Sequence, residues 1–141
     1  MRYIFLILIF IFQETDLNIK DGLAVQGYDP VSYFSNKPKE GTAKFNTQFN
    51  GATYYFINAG NQEKFIKDPQ KYEPQFGGWC AYAMGNDGTK VKIDPETFKI
   101  VNGKLYLFYN FLWNNTLPIW NENEVNLRLE AEKNWTRTVM N

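Results

Sequence analysis

Histidine is absent from this 141-residue chain, and cysteine occurs once, at Cys80. Without an imidazole, Ser-His and Cys-His nucleophile activation, the usual zinc sites and the commonest general base are all excluded. A single thiol rules out an internal disulfide, a Cys-x-x-Cys redox pair and a four-thiolate cluster. A Walker loop, a dinucleotide glycine fingerprint, a His-Glu-x-x-His helix and an EF-hand loop are missing as well. Charge of one sign is also lacking, since fifteen basic and fifteen acidic residues cancel. No net field favours nucleic acid or anionic lipid, and no Lys/Arg cluster follows a phosphate backbone. Neither an enzyme nor a nucleic-acid-binding protein is expected.

Aromatic residues are plentiful instead, with 12 Phe, 9 Tyr and 4 Trp. Such side chains gain much from burial and add edge-on ring packing. Met1-Arg2 is followed by ten unbroken apolar residues, Tyr3 to Phe12, and then by polar Gln13 to Asp16. This is the n- and h-region pattern of a secretory signal, and it predicts export to a periplasmic or extracellular compartment. The run is too short to span a bilayer as a helix, which takes roughly 20 residues. No small-x-small pair precedes Glu14 and no cysteine follows, so an uncleaved amino-terminal anchor or a buried strand is the alternative. Residues 1–16 are therefore set apart as a leader, and residues 17–141 suffice for one domain with one core.

Within that domain, two alternating runs, Thr42 to Phe49 and Ala52 to Ile57, flank Asn50-Gly51, and Phe98 to Val101 and Lys104 to Tyr109 flank Asn102-Gly103. Asn-Gly between such runs predicts a tight hairpin, because both central residues of a type I′ turn need positive φ. Helical pieces are predicted at Tyr28 to Phe34, at Asn58 to Lys67 with Phe65 and Ile66 inward, at Trp113 to Trp120, and at Glu122 to Trp135. Asp29-Pro30, Asp68-Pro69 and Asp94-Pro95 each read as an N-cap followed by proline at the first helical position. Leu127, Ala131 and Trp135 form an i, i+4, i+8 stripe suited to docking on a sheet. The sum is an α+β domain: an antiparallel sheet from two Asn-Gly hairpins, short helices and a C-terminal helix.

Candidate function centres on Pro74 to Gly85, where Cys80 follows a Gly-Gly pair amid aromatics. A helix from Trp79 to Met84, ended by Gly85, would place Cys80 and Met84 on one face. A thiolate and a thioether together favour Cu(I) over zinc or hard cations. On this reading Tyr28, Tyr33 and Tyr82 wall a pocket, Asp29 ligates or orients, and the amides near Gly77 and Gly78 offer donors to a small organic ligand. The plainer reading makes Cys80 a small buried hydrophobe, Met84 core filler and Asp29 a cap. A structural or partner-binding envelope protein then remains, with the Trp-rich carboxy-terminal end as its contact surface. A hollow at Cys80 would favour the first reading, and exposed Trp113 or Trp120 the second.

Gln26-Gly-Tyr-Asp-Pro-Val-Ser-Tyr-Phe34 resembles the opening motif of bacterial YHS-domain-containing proteins. The likeness continues through Asn50 to Phe56, Phe65 to Tyr72, Pro74 to Ala81, Gly103 to Leu107 and Ala131 to Trp135. The resemblance implies a small α+β domain related to cysteine-based metal-binding modules, including those of copper and heavy-metal handling proteins. This chain departs from those modules in having no histidine and one thiol, so a closed zinc or iron site cannot be assembled from it.

Overall fold

A computed structural model describes residues 16–141, and the apolar run of the leader lies outside the described residues. The described chain begins with two dipeptide strands, β1 (Ile19–Lys20) and β2 (Leu23–Ala24), paired antiparallel. Both predicted Asn-Gly hairpins form: β3 (Thr42–Phe49) turns into β4 (Ala52–Phe56), and β5 (Asp94–Val101) into β6 (Lys104–Phe108). Asn50 and Asn102 lie at φ 49° and 52°, and the glycines after them at 83° and 74°, as the turn requires. The hairpins do not share a sheet. β2 pairs in parallel with β4 in the order β1-β2-β4-β3, so both edges of β4 are taken and β5-β6 stands as its own pair. A single bridge, Pro74 to Leu105, ties the 74–78 segment to β6.

Helices complete the expected small α+β fold. In α1 (Ala59–Lys67), the Asn58 side chain accepts the Asn61 N–H at 2.8 Å as the N-cap. Neighbouring residues on a helix point about 100° apart, so Phe65 is sealed while Ile66, expected inward, is exposed. Pro69 opens α2 (Pro69–Tyr72) as its spacing predicts. The other two Asp-Pro pairs do not start α-helices. Residues 28–34 give a 3-10 turn over Ser32–Ser35, and Asp94 begins β5, its carboxylate accepting from the Glu96 N–H and the Thr97 hydroxyl.

The carboxy-terminal third departs most from expectation. Asn110 to Asn115 is a further hairpin, β7 (Asn110–Phe111) and β8 (Asn114–Asn115), and only Thr116 onward is helical. The helices that follow α3 (Ala81–Asn86) are α4 (Thr116–Glu122) and α5 (Glu124–Met140).

Two apolar cores meet at β6. Successive strand residues face opposite sides, so Leu105 and Leu107 join Tyr33, Tyr54, Phe56 and Phe65, whereas Tyr106 and Phe108 join Phe76, Met84 and Trp120. These four residues of β6 are buried, as those of a strand covered on both faces should be, and only Lys104 at its start is exposed. The Leu127, Ala131 and Trp135 stripe docks on α3 and the second core, not mainly on a sheet. Gly85 makes that docking possible. It lies inside α3 and does not end it, and a Cβ there would stand 2.4 Å from the Leu127 carbonyl oxygen.

Gly85→Ala therefore sets helix propensity, which favours alanine by about 1 kcal/mol, against steric overlap at the crossing. Overpacking of this kind costs about 1–3 kcal/mol, and a backbone oxygen cannot swing aside. The urea midpoint should fall; a midpoint at or above that of the native chain would mean that the helices do not cross at this residue.

Candidate functional site

Cys80 sits at the junction between the 3-10 turn of Gln75–Gly78 and α3, with φ −56° and ψ 118°, just before helical geometry starts. Its side chain is therefore not on the helix face that carries Met84. Cys80 packs into the first core and Met84 into the second. The expected thioether-thiolate pair is thus split, because helical geometry begins only after residue 80. Both side chains are fully buried.

The hydrogen bonds of the thiol explain its position. The Tyr109 N–H donates to Cys80 Sγ at 3.3 Å, and Thr116 Oγ1 lies 3.6 Å from the same sulfur. The Thr116 hydroxyl already donates to the Tyr109 carbonyl at 2.8 Å, which also accepts the Thr116 N–H at 3.0 Å. The hydroxyl hydrogen is spent there, so the remaining contact runs from the thiol to Oγ1. Metal ligation needs the thiolate, which would surrender that donor inside a sealed site. Tyr109 and Thr116 flank the β7-β8 hairpin, so one sulfur clamps its base.

The remaining expected site residues lie in separate places. Asp29 is fully buried, and its carboxylate accepts four N–H groups: those of Val31 (2.8 Å), Ser32 (3.3 Å) and Ile57 (2.9 Å), and the Asn61 side-chain amide (2.8 Å). Asp29 was expected as the N-cap with Pro30 at the first helical position, but the turn starts at Ser32 with Val31 before it. The Asp29 carboxylate instead receives the Val31 and Ser32 N–H groups and ties that turn to the start of α1. No lone pair is left aimed at a ligand. Tyr33 is core: its ring meets Phe98 edge-on at 5.1 Å, its hydroxyl donates to the Pro95 carbonyl, and burial pushes its ionisation well upward. Tyr28 is half-buried, its hydroxyl shifted up by burial and by the carboxylates of Glu96, Glu40 and Asp94. Tyr82 is half-buried between the two cores.

Gly77 and Gly78 offer carbonyls, not amides, to their neighbours. The Asn18 backbone N–H donates to Gly77 (2.8 Å) and the Asn18 side chain to Gly78 (3.0 Å). Gly77 has φ 62°, and a Cβ on it would strike the Trp135 ring at 2.6 Å, so the pair is a close-packing turn. Among the described residues no group of three His, Cys, Asp or Glu is placed to hold a metal ion.

An open groove of about 330 Å³ does border Gly77, lined by Leu17, Gln70, Glu73 and Trp135, but it is not at Cys80. Burial raises the Glu73 carboxyl above its ordinary value.

Unusual backbone at an exposed position lies in the β7-β8 hairpin. Leu112 and Trp113 occupy its two central positions with φ 50° and 66°, where β3-β4 and β5-β6 use Asn-Gly and β1-β2 uses Asp21-Gly22. Leu112 is 91% exposed and Trp113 entirely so, while Trp120 is sealed in the second core. Below the tip, Lys92 Nζ stands 4.6 Å above the Phe111 ring, and Tyr109 meets the same ring edge-on at 5.0 Å. Sequence reasoning missed this element because Leu-Trp is not a turn dipeptide. The available signal was an apolar Phe-Leu-Trp triplet bracketed by asparagines, too short for a helix or a core strand. Comparison with protein-family models, curated proteins and solved structures gives no match.

Two outcomes follow. The Cys80 thiol should resist an aromatic disulfide reagent in the folded chain and react only as the protein unfolds; rapid labelling under native conditions would mean that the sulfur is open. Because the folded Glu73 carboxyl is raised, its contribution to stability is present below the unfolded carboxylate range and is lost as pH rises through the folded value. Glu73→Gln should raise the melting temperature near neutral pH and leave it unchanged in strong acid. An equal shift at both pH values would assign the gain to something other than charge.

Proposed function

We propose that this is a non-catalytic partner-binding domain of the cell envelope, with the Leu112-Trp113 tip as its contact element and Cys80 as the core residue that holds the tip's base. This takes up the second of the two readings that the sequence leaves open. The observation that carries it is the pairing of strain with exposure at one spot. Non-glycine residues in the left-handed region cost about 1–3 kcal/mol each and persist where the surroundings impose them, commonly at functional sites. Here the two strained residues are a leucine and a tryptophan standing in solvent. Tryptophan is also among the residues most enriched at binding hot spots.

Further support comes from the arrangement beneath the tip. The sulfur clamp, the Thr116–Tyr109 pair and the Lys92–Phe111 contact fix the base of a hairpin that is too short to be stable alone. Envelope placement rests on the leader pattern, and the absence of histidine speaks against the commonest catalytic designs. The copper reading suggested by the family resemblance finds less support, because its two donors lie in different cores.

Replacing the tip by the dipeptide of the β3-β4 and β5-β6 hairpins separates fold from function. Leu112→Asn with Trp113→Gly should raise stability by about 1–2 kcal/mol, since that dipeptide suits positive φ at both positions. With a photo-crosslinking residue at position 114, the native tip should give adducts in intact cells, and the Asn-Gly tip should lose them. A variant that is more stable and still forms the same adducts would remove the tip from the contact.

A further inference from the structure

We propose that the partner met by the tip is a lipid bilayer, with Leu112 and Trp113 inserted at the interface and the apolar leader retained in the same leaflet. This rests on the reading that the tip is the docking element, and adds what it docks on. The argument starts from where the leader joins the fold. The run Tyr3 to Phe12 is separated from Asp16 by Gln13 to Thr15. Four residue steps cover at most about 14 Å of extended chain, so the run joins the fold within that reach of the place where Asp16 is held.

Asp16 is held firmly. Its carboxylate pairs with Lys90 Nζ at 2.7 Å, and its carbonyl accepts the Trp79 indole N–H at 2.7 Å. Lys90 and Lys92 are exposed, whereas Val91 and Ile93 turn toward the first core, so the two lysines project on the same side of one extended segment. Lys92 lies over Phe111, directly below the tip. The junction of the leader and the base of the tip therefore flank the same short, outward-facing stretch. A surface that receives the leader lies beside the tip.

The chemistry of the tip suits that surface. Tryptophan favours the membrane–water interface, where its ring is buried and its N–H stays wet. Asn110, Asn114 and Asn115 surround the apolar pair as a polar collar at headgroup height. Lys90 and Lys92 carry long apolar stems that can lie along the boundary with their ammonium groups in water. The chain has no net charge, so insertion does not call for anionic lipid.

The test uses the full chain, leader included, with phosphatidylcholine vesicles whose acyl chains carry bromine. The probe is the difference in tryptophan emission between the native chain and Trp113→Phe, which isolates one indole from the other three. That difference should shift to the blue on plain vesicles and be lost on brominated ones. An indole that keeps its aqueous emission on both overturns the lipid proposal. If the position-114 adducts then turn out to be tip-dependent and to a protein, the docking reading stands and its partner is a protein. If they are insensitive to the tip as well, both readings fall.

Discussion

One sulfur atom closes the base of the hairpin that carries the exposed tip. Cys80 Sγ receives the Tyr109 N–H and faces Thr116 Oγ1, while the Cys80 N–H donates to the Val91 carbonyl at 2.9 Å. The residue thus ties the last residue before β7, the first after β8, and the segment bearing Lys90 and Lys92. Each bond is modest, because a typical intramolecular hydrogen bond contributes about 0.5–1.5 kcal/mol net. Their effect is concentrated by position: they act at the root of a hairpin whose two strands make up a sheet by themselves. The lone cysteine is structural in a specific sense, since it fixes what the neighbouring hairpin displays.

The chain carries its own comparison for the tip. Among the described residues four tight hairpins use the same positive-φ turn: two use Asn-Gly and the β1-β2 turn uses Asp21-Gly22, residues that such a turn favours. The β7-β8 hairpin uses Leu-Trp, the only one of the four turns with both central residues apolar and bulky. Conformational strain and exposed apolar area coincide there, and neither helps folding. Val25 and Phe76 also take positive φ, but both are buried in the cores. At Leu112-Trp113 the departure from local consistency stands in solvent, which is where functional sites are to be sought. The buried Asp29 carboxylate shows the contrasting case: a charged group in a buried position, but with four donors that satisfy it.

Much of the architecture was legible because its signals are local. Asn50-Gly51 and Asn102-Gly103 carry their turn chemistry in two residues, and Asn58 and Pro69 mark helix starts in the same way. What could not be read depended on distant partners. Gly85 looks like a helix stop until the Leu127 carbonyl is seen pressed against it. Cys80 and Met84 share a face on a helical wheel, but the helix begins after residue 80 and the two cores take one side chain each. Tyr33 was expected around a pocket and instead fills space against Phe98, while Gly77 borders a groove that is not at Cys80 and packs closely on Trp135. The Leu-Trp turn was invisible because the clamp that imposes it comes from a residue some thirty positions earlier in the chain.

The central claim is that the Cys80 sulfur holds the hairpin base and so keeps the tip in place. It is tested most directly by native-state hydrogen exchange at the Tyr109 amide, whose only described acceptor is that sulfur. The account predicts strong protection in the native chain and exchange faster by roughly tenfold in Cys80→Ala, the equivalent of one hydrogen bond, with the amides of the β3-β4 hairpin unaffected. Equal protection of Tyr109 in both proteins would show that the sulfur does not hold the base, and would contradict the account.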